Sequence, residues 1–410
     1  MNISYNGNYD GSYNIRADIY TKTLISGLLF YNSGPKSVTY IGKGYNGVVY
    51  SIKFLNGKEL IIKTSTKHYK SIKEIRNIEL LTHGEQSPYL CYYYGYTGLE
   101  NNEYAFVSTN KNLKFTGTLQ ALPKHVLEHG RSNDKKERFS YFNIIMEKLE
   151  ISPSIINIFY YDKINTIYLL TFIIGCLKGL RDIFKNKIVH TDVHKIENLG
   201  FIKTKNNYYA PKFLDFGQLH IKKILLNEST NQNDWKLPTH MKSDSIKYDF
   251  KWGPELLGCV NENSVINMTG YKNKTCDIQK SFAVINSDLY IFFIGIVVVR
   301  IFDISSKKTK YMYKNDDIYN SMYDELFTKM NINTEKNKEL FNDEEARNTF
   351  VKKMIQIILD CIEPDFKVRP LVNDIILKLY KCLQMYFIQD KVDRIYQPIQ
   401  RSYIENLNAK

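Results

Sequence analysis

The run Ile188-Val189-His190-Thr191-Asp192-Val193-His194-Lys195-Ile196-Glu197-Asn198, followed by Phe213-Leu214-Asp215-Phe216-Gly217, carries the densest chemistry in the chain. An aspartate in a tight loop can accept the proton of an incoming hydroxyl, and Asp192 is placed for that role. A nearby Asn and a second Asp, Asn198 and Asp215, offer the oxygen donors that hold Mg²⁺ against phosphate groups.

Working back from that run, Gly42-Lys43-Gly44-Tyr45-Asn46-Gly47-Val48-Val49 has the spacing G-x-G-x-x-G-x-V. Glycines allow a tight backbone turn and bring N–H groups close to phosphate oxygens. Dinucleotide folds use the same glycines to open a helix. Here they lead into strands, Val38–Ile41 before and Val48–Ile52 after, and the Asn56-Gly57 hairpin signal precedes Leu60-Ile61-Ile62-Lys63. A helix is expected over about residues 69–82 from Ile72, Ile75, Ile78 and Leu81. Its phasing turns Glu74 towards Lys63, with Glu79 as the alternative partner.

In order and spacing, these features resemble the eukaryotic-type Ser/Thr protein kinase family, over roughly residues 38–385. Trp252-Gly253-Pro254-Glu255, Ser287-Asp288-Leu289-Tyr290 and the segment from Cys361 to Pro370 extend the resemblance. It implies an α+β, bilobal protein kinase fold: a small β-rich N-lobe with one main helix, and a larger, mainly helical C-lobe. The implied cofactors are ATP and Mg²⁺. Gly42, Gly44, Gly47 and Val49 would cover the nucleotide, Lys63 would contact its α/β-phosphates, and Glu74 would orient Lys63. Met146 would lie behind the adenine, with the backbone of Glu147 and Leu149 on its edge. Asp192 would be the catalytic acceptor, Lys195 would steady the γ-phosphate, and Asn198 and Asp215 would bind the metal. Arg369 would pair with Glu255.

The implied activity is phosphorylation of Ser/Thr hydroxyls on protein substrates, acidic or acid-flanked ones given the basic charge. A pseudokinase scaffold and a kinase of hydroxyl-bearing small molecules are the alternatives. The chain departs from the family pattern at two places in the loop. Asn198 lies six residues after Asp192 rather than five, which makes Glu197 the alternative for the metal-facing position, and Thr191 stands where an arginine usually precedes the aspartate. That arginine normally clamps a phosphorylated activation segment, which implies an enzyme active without such phosphorylation.

The domain organisation expected is a loosely structured N-terminal extension over 1–37, an N-lobe over 38–148 with an insertion near 110–140, a C-lobe over 149–385 and a C-terminal tail over 386–410. A buried strand is expected at Phe142–Met146 and an apolar helix around Ile167–Phe184, with polar surface segments near 220–250 and 303–348. The chain has 410 residues and a net charge of +13. That charge keeps nucleic acid open as a partner, although no block of five like charges occurs and a scattered solvated surface explains it more simply. The six cysteines lie far apart with no Cys-x-x-Cys pair, which fits a reducing, intracellular and cytoplasmic setting and argues against zinc or a disulfide framework. No signal peptide or transmembrane span is legible, since the apolar run Leu289–Val299 is too short to cross a bilayer. The bias towards Asn, Ile, Lys and Tyr is that of an AT-rich genome, which many large DNA viruses and some protists share; a viral origin would put the protein in host cytoplasm or a virion.

Overall fold

The computed structural model describes residues 3–6, 15–44, 47–67, 74–75, 77–79, 81, 86–100, 103–117, 139–150, 165–185, 188–190, 198–216, 219–221, 316–363 and 368–410. The chain divides into two compact units, one comprising residues 1–149 with 407–410 and the other residues 150–406. The architecture is mixed α/β, with its large sheet in the first unit and most of the described helix in the second.

The first unit is built on a seven-stranded sheet in the order β1-β3-β4-β5-β9-β6-β7. These strands are β1 (Ser4–Asn6), β3 (Pro35–Gly44), β4 (Gly47–Phe54), β5 (Glu59–Lys67), β6 (Tyr93–Glu100), β7 (Glu103–Ser108) and β9 (Phe139–Glu147). β1 pairs with β3 in parallel, and the neighbouring pairs from β3 to β7 are antiparallel. The turn between β4 and β5 is a three-residue loop rather than the two-residue one that Asn56-Gly57 suggests. The Gly57 N–H donates to Phe54 O at 2.9 Å and the Phe54 N–H to Lys58 O at 2.8 Å, with Gly57 at φ 82°. That left-handed angle is where glycine is least strained.

Residues 15–30 are not the loose extension expected of them. They form helix α1 (Ile15–Gly27) and strand β2 (Leu28–Phe30), and β2 pairs with β8 (Leu113–Phe115). Leu24, Ile25, Leu28 and Phe30 join Val38, Ile52, Phe54, Ile62 and Ile145 in one core cluster. A buried polar knot fixes the helix to the sheet. Thr64 Oγ1 donates to Asn143 Oδ1 at 2.6 Å, Thr21 Oγ1 lies 3.0 Å from Thr64 Oγ1, and the Asn143 N–H donates to Thr97 Oγ1 at 2.9 Å. Buried polar groups satisfied in this way fix one register, because a slipped pairing would strand them. Alternation along β5 puts Thr64 on the face covered by α1 and Lys63 on the opposite face.

In the second unit, helix α2 (Thr166–Lys185) is buried around nearly its whole circumference, as its apolar sequence leads one to expect. It packs on β12 (Tyr209–Phe213), which forms a hairpin with β11 (Leu199–Lys203). Gly175 permits this close approach, since a Cβ there would lie 2.8 Å from the Tyr403 hydroxyl and 3.1 Å from Pro211 Cγ. A shorter pair, β10 (Ile188–His190) and β13 (Leu219–Ile221), is antiparallel. Helices α3 (Asp316–Lys336), α4 (Glu344–Cys361), α5 (Val372–Tyr386) and α6 (Gln389–Asn408) follow.

The polar segment expected at 303–348 therefore contains a helix of 21 residues and the start of another, and it buries Leu326, Met330 and Phe341. Asp343 caps α4 by accepting the Ala346 N–H at 2.7 Å, a contact worth about 1 kcal/mol. Within the expected C-terminal tail, α6 buries Val392, Ile395, Ile399 and Tyr403 at helical spacing, and Tyr403 donates to Pro211 O at 2.8 Å. Among the described residues, no helix is long and apolar enough to cross a membrane. The apolar run at 289–299 and the polar stretch at 220–250 lie outside the described residues.

Candidate functional site

In the first unit, β3 and β4 run antiparallel through the glycine motif, pairing Gly42 with Val49 and Gly44 with Gly47. The β4–β5 register then sets Val49 beside Lys63. The glycines serve different local needs. A Cβ on Gly47 would meet the Thr64 carbonyl oxygen at 1.9 Å, so the start of β4 can lie against β5 only without a side chain there. A Cβ on Gly42 would meet nothing within 4 Å, so packing does not demand that glycine.

Lys63 extends from the middle of β5 and donates through Nζ to both carboxylate oxygens of Glu74, at 2.8 and 3.0 Å. The side chains are 15% and 6% exposed, so this ion pair is shielded from bulk water. Glu74, Ile75, Asn77, Ile78, Glu79 and Leu81 are helical, and Ile75, Ile78 and Leu81 are buried. Glu74 stands four residues before Ile78, on the inward face of that helix. The competing residue Glu79 accepts instead from the Tyr96 hydroxyl. Of the two carboxylates weighed for Lys63, Glu74 is the one that reaches it. Ile72 and the rest of the expected helix start lie outside the described residues.

Met146 and Glu147 end β9, with Met146 opposite Ile61 and Tyr93. Met146 and Leu149 are half-buried and Glu147 is buried. The Glu147 N–H donates to Tyr92 O at 2.9 Å. The Glu147 carboxylate accepts the Tyr92 N–H at 2.6 Å and an ion pair from Lys410 Nζ. Tyr94 packs close by, its ring 4.8 Å from that of Tyr92. Burial first, and the Glu147 charge second, push the Tyr94 phenol well above its usual value, so it stays protonated.

In the second unit, the β11–β12 hairpin pairs Leu199 with Phe213 and so joins two positions distant in sequence. Asn198 is buried just before β11, and its carbonyl accepts the Leu214 N–H at 3.0 Å, next to Asp215. Asp215 has φ 60°, a left-handed backbone that a residue with a Cβ holds at a cost of order 1–3 kcal/mol. Phe216 beside it is fully buried and anchors the turn. Strain of this kind persists where the surrounding structure over-determines it, and it is enriched at ligand sites. An amide oxygen and a carboxylate in adjoining positions are hard oxygen donors, the type that suits Mg²⁺.

Against known proteins, the chain matches no family model and no curated protein.

Asp192, Lys195 and Glu197 lie outside the described residues, as do Glu255 and Asp288. Arg369 is buried and donates through Nε to Glu363 O, which ties the end of α4 to the approach of α5. Two features of the site have no local signal in the sequence. These are the Lys410 contact with Glu147, 263 residues away, and the left-handed turn at Asp215.

Proposed function

We propose that the chain is an ATP-dependent phosphotransferase that moves the γ-phosphoryl group of ATP to Ser/Thr hydroxyls of protein substrates, on a bilobal protein kinase fold. The observation that carries this reading is the shielded, two-point Lys63–Glu74 pair beside the glycine hairpin. A lysine held on a strand by a buried carboxylate is a pre-oriented cation, and a pre-oriented cation binds phosphate oxygens with little reorganisation. A plain stabilising ion pair gives no reason for glycine at position 42, where packing does not demand one.

In this reading Lys63 holds the α/β-phosphates, Glu74 keeps Lys63 extended, and Gly42, Gly44 and Gly47 admit the phosphates close to the backbone of β3 and β4. The carbonyl of Glu147 and the backbone of Leu149 meet the adenine edge. Asn198 and Asp215 would hold Mg²⁺, which when bound neutralises charge on the phosphates. Asp192 accepts the proton as the substrate hydroxyl oxygen bonds to the γ-phosphorus and the bond to the β-phosphate oxygen breaks, releasing ADP. Lys195 balances the γ-phosphate charge.

The test is incubation with γ-labelled ATP, Mg²⁺ and a dephosphorylated acidic protein, followed by phosphoamino-acid analysis. Label in phosphoserine or phosphothreonine is expected. Mg²⁺-dependent ATP binding with no transfer to protein or small hydroxyl compounds would replace the reading with a scaffold. Predominant phosphotyrosine would overturn the substrate class.

A further inference from the structure

The end of α6 leaves the second unit, and residues 407–410 belong to the compact unit that holds the Lys63–Glu74 pair. Three groups receive them there. The Tyr31 hydroxyl donates to Ala409 O at 2.7 Å, and the side-chain amides of Asn110 and Asn112 donate to the Lys410 backbone oxygen at 2.7 and 3.0 Å. Lys410 Nζ then lies over the Tyr92 ring, 4.9 Å from its centroid, and pairs with Glu147. Both partners of that ion pair are 5% exposed. Glu147 is in turn locked to Tyr92 at backbone N–H and carboxylate.

So many mutually satisfied contacts describe a fitted socket rather than a strand of chain resting on a surface. The carboxylate at its centre belongs to the residue whose carbonyl would meet the nucleotide base. A buried carboxylate keeps its place only while a compensating cation does. Loss of the Lys410 charge would drive Glu147 to turn outward for water, and its backbone would turn with it.

We propose that Lys410 is a positioning residue for nucleotide binding: by holding the Glu147 side chain, it fixes the end of β9 in the orientation that accepts the adenine edge. This rests on the phosphotransferase reading above. Segment 407–410 thereby acts as part of the nucleotide site although Lys410 is 263 residues from Glu147 along the chain.

The experiment compares the full chain with Lys410→Gln, Lys410→Arg, Glu147→Gln and the double variant Lys410→Gln/Glu147→Gln. Lys410→Gln keeps a side chain over Tyr92 and removes the charge. Calorimetric titration with ATP and Mg²⁺ should show affinity about tenfold or more weaker in Lys410→Gln and largely restored in Lys410→Arg. The double variant should bind more tightly than Lys410→Gln and within about threefold of Glu147→Gln, because a neutral amide at 147 no longer needs the cation. A purely structural role predicts instead that affinity falls only in step with the melting temperature across the variants, since removing both charges restores stability as well. Hydrogen exchange at the Tyr92 amide should quicken in Lys410→Gln, with protection retained in β4 and β5. Equal ATP affinity in Lys410→Gln and the unaltered chain would overturn the inference alone. Absence of binding in the unaltered chain would overturn the function reading, and the inference with it.

Discussion

Replacing Lys63 by Met removes the ammonium while keeping a side chain of similar length. Glu74, whose side chain is 6% exposed, then loses the cation 2.8 Å from its carboxylate. Breaking a buried pair from one side destabilises by about 3–5 kcal/mol, and the 15% exposure of Lys63 argues for the lower end. A loss of about 3 kcal/mol corresponds to a melting point lower by roughly 6–12 °C for a unit of this size. Replacing both residues, as Lys63→Met/Glu74→Leu, removes the stranded charge as well. A well-packed apolar pair is often neutral or stabilising, so most of the melting point should return. Phosphoryl transfer should not return, because the phosphate-binding cation is still missing. The assay is differential scanning fluorimetry alongside radiolabel transfer for the three proteins. Recovery of turnover together with stability in the double variant would refute a chemical role for Lys63, and an unshifted melting point in Lys63→Met would refute the energetic argument.

Asp215→Asn and Asp192→Asn should each abolish transfer while leaving the melting curve intact; at position 215, Gly should be more stable than Ala by about 1 kcal/mol in denaturant titrations, since φ 60° favours glycine. Burial pushes the thiol of Cys361 up to about 12 and that of Cys382 up to about 11, from 9.0. Both therefore keep their protons in the folded chain where the unfolded chain loses them, so their contribution is complete below pH 9 and is lost as pH rises through that window. Denaturant titrations should show each thiol's contribution falling by up to about 1.4 kcal/mol per pH unit above 9; a flat response from pH 8 to 10.5, compared with Cys361→Ala and Cys382→Ala, would contradict this. Phosphatase treatment should leave turnover on an exogenous substrate unchanged, because Thr191 offers no cation to clamp a phosphorylated segment; a hundredfold fall restored by rephosphorylation would show that another cation does so.

What could be read in the sequence was local. The β-rich runs Val48–Ile52 and Leu60–Lys63, set off by the glycine motif and the Asn56-Gly57 turn signal, announce strands, and the three-residue recurrence at Ile75, Ile78 and Leu81 places Glu74 on an inward face. The mainly apolar stretch around Ile167–Phe184 likewise announces a helix, and the structure buries it around nearly its whole circumference. Elements held by few or polar contacts were harder to see. In α1, Thr21 is fixed through Thr64 and Asn143, partners 43 and 122 residues away, and no periodicity encodes such a contact. Helix α3 buries Leu326, Met330 and Thr334 on an otherwise polar surface, too thin a stripe to distinguish it from a loop. The Glu74 and Glu79 alternatives differ in sequence only by register, and it is the Tyr96 hydroxyl that commits Glu79 elsewhere. The turn at Asp215 depends on the hairpin of β11 and β12 and on burial of Phe216, both set by tertiary packing.

An acyl-phosphate derivative of ATP transfers its acyl group to a lysine amine lying against the bound phosphates, and peptide mass spectrometry then reports which lysine was reached. The account predicts that Lys63 is acylated in the presence of Mg²⁺, that excess ATP suppresses the modification, and that Lys63→Met removes it without new labelling elsewhere. Labelling spread over exposed lysines and indifferent to ATP, with Lys63 untouched, would contradict the claim that the Lys63–Glu74 pair is built to hold nucleotide phosphates.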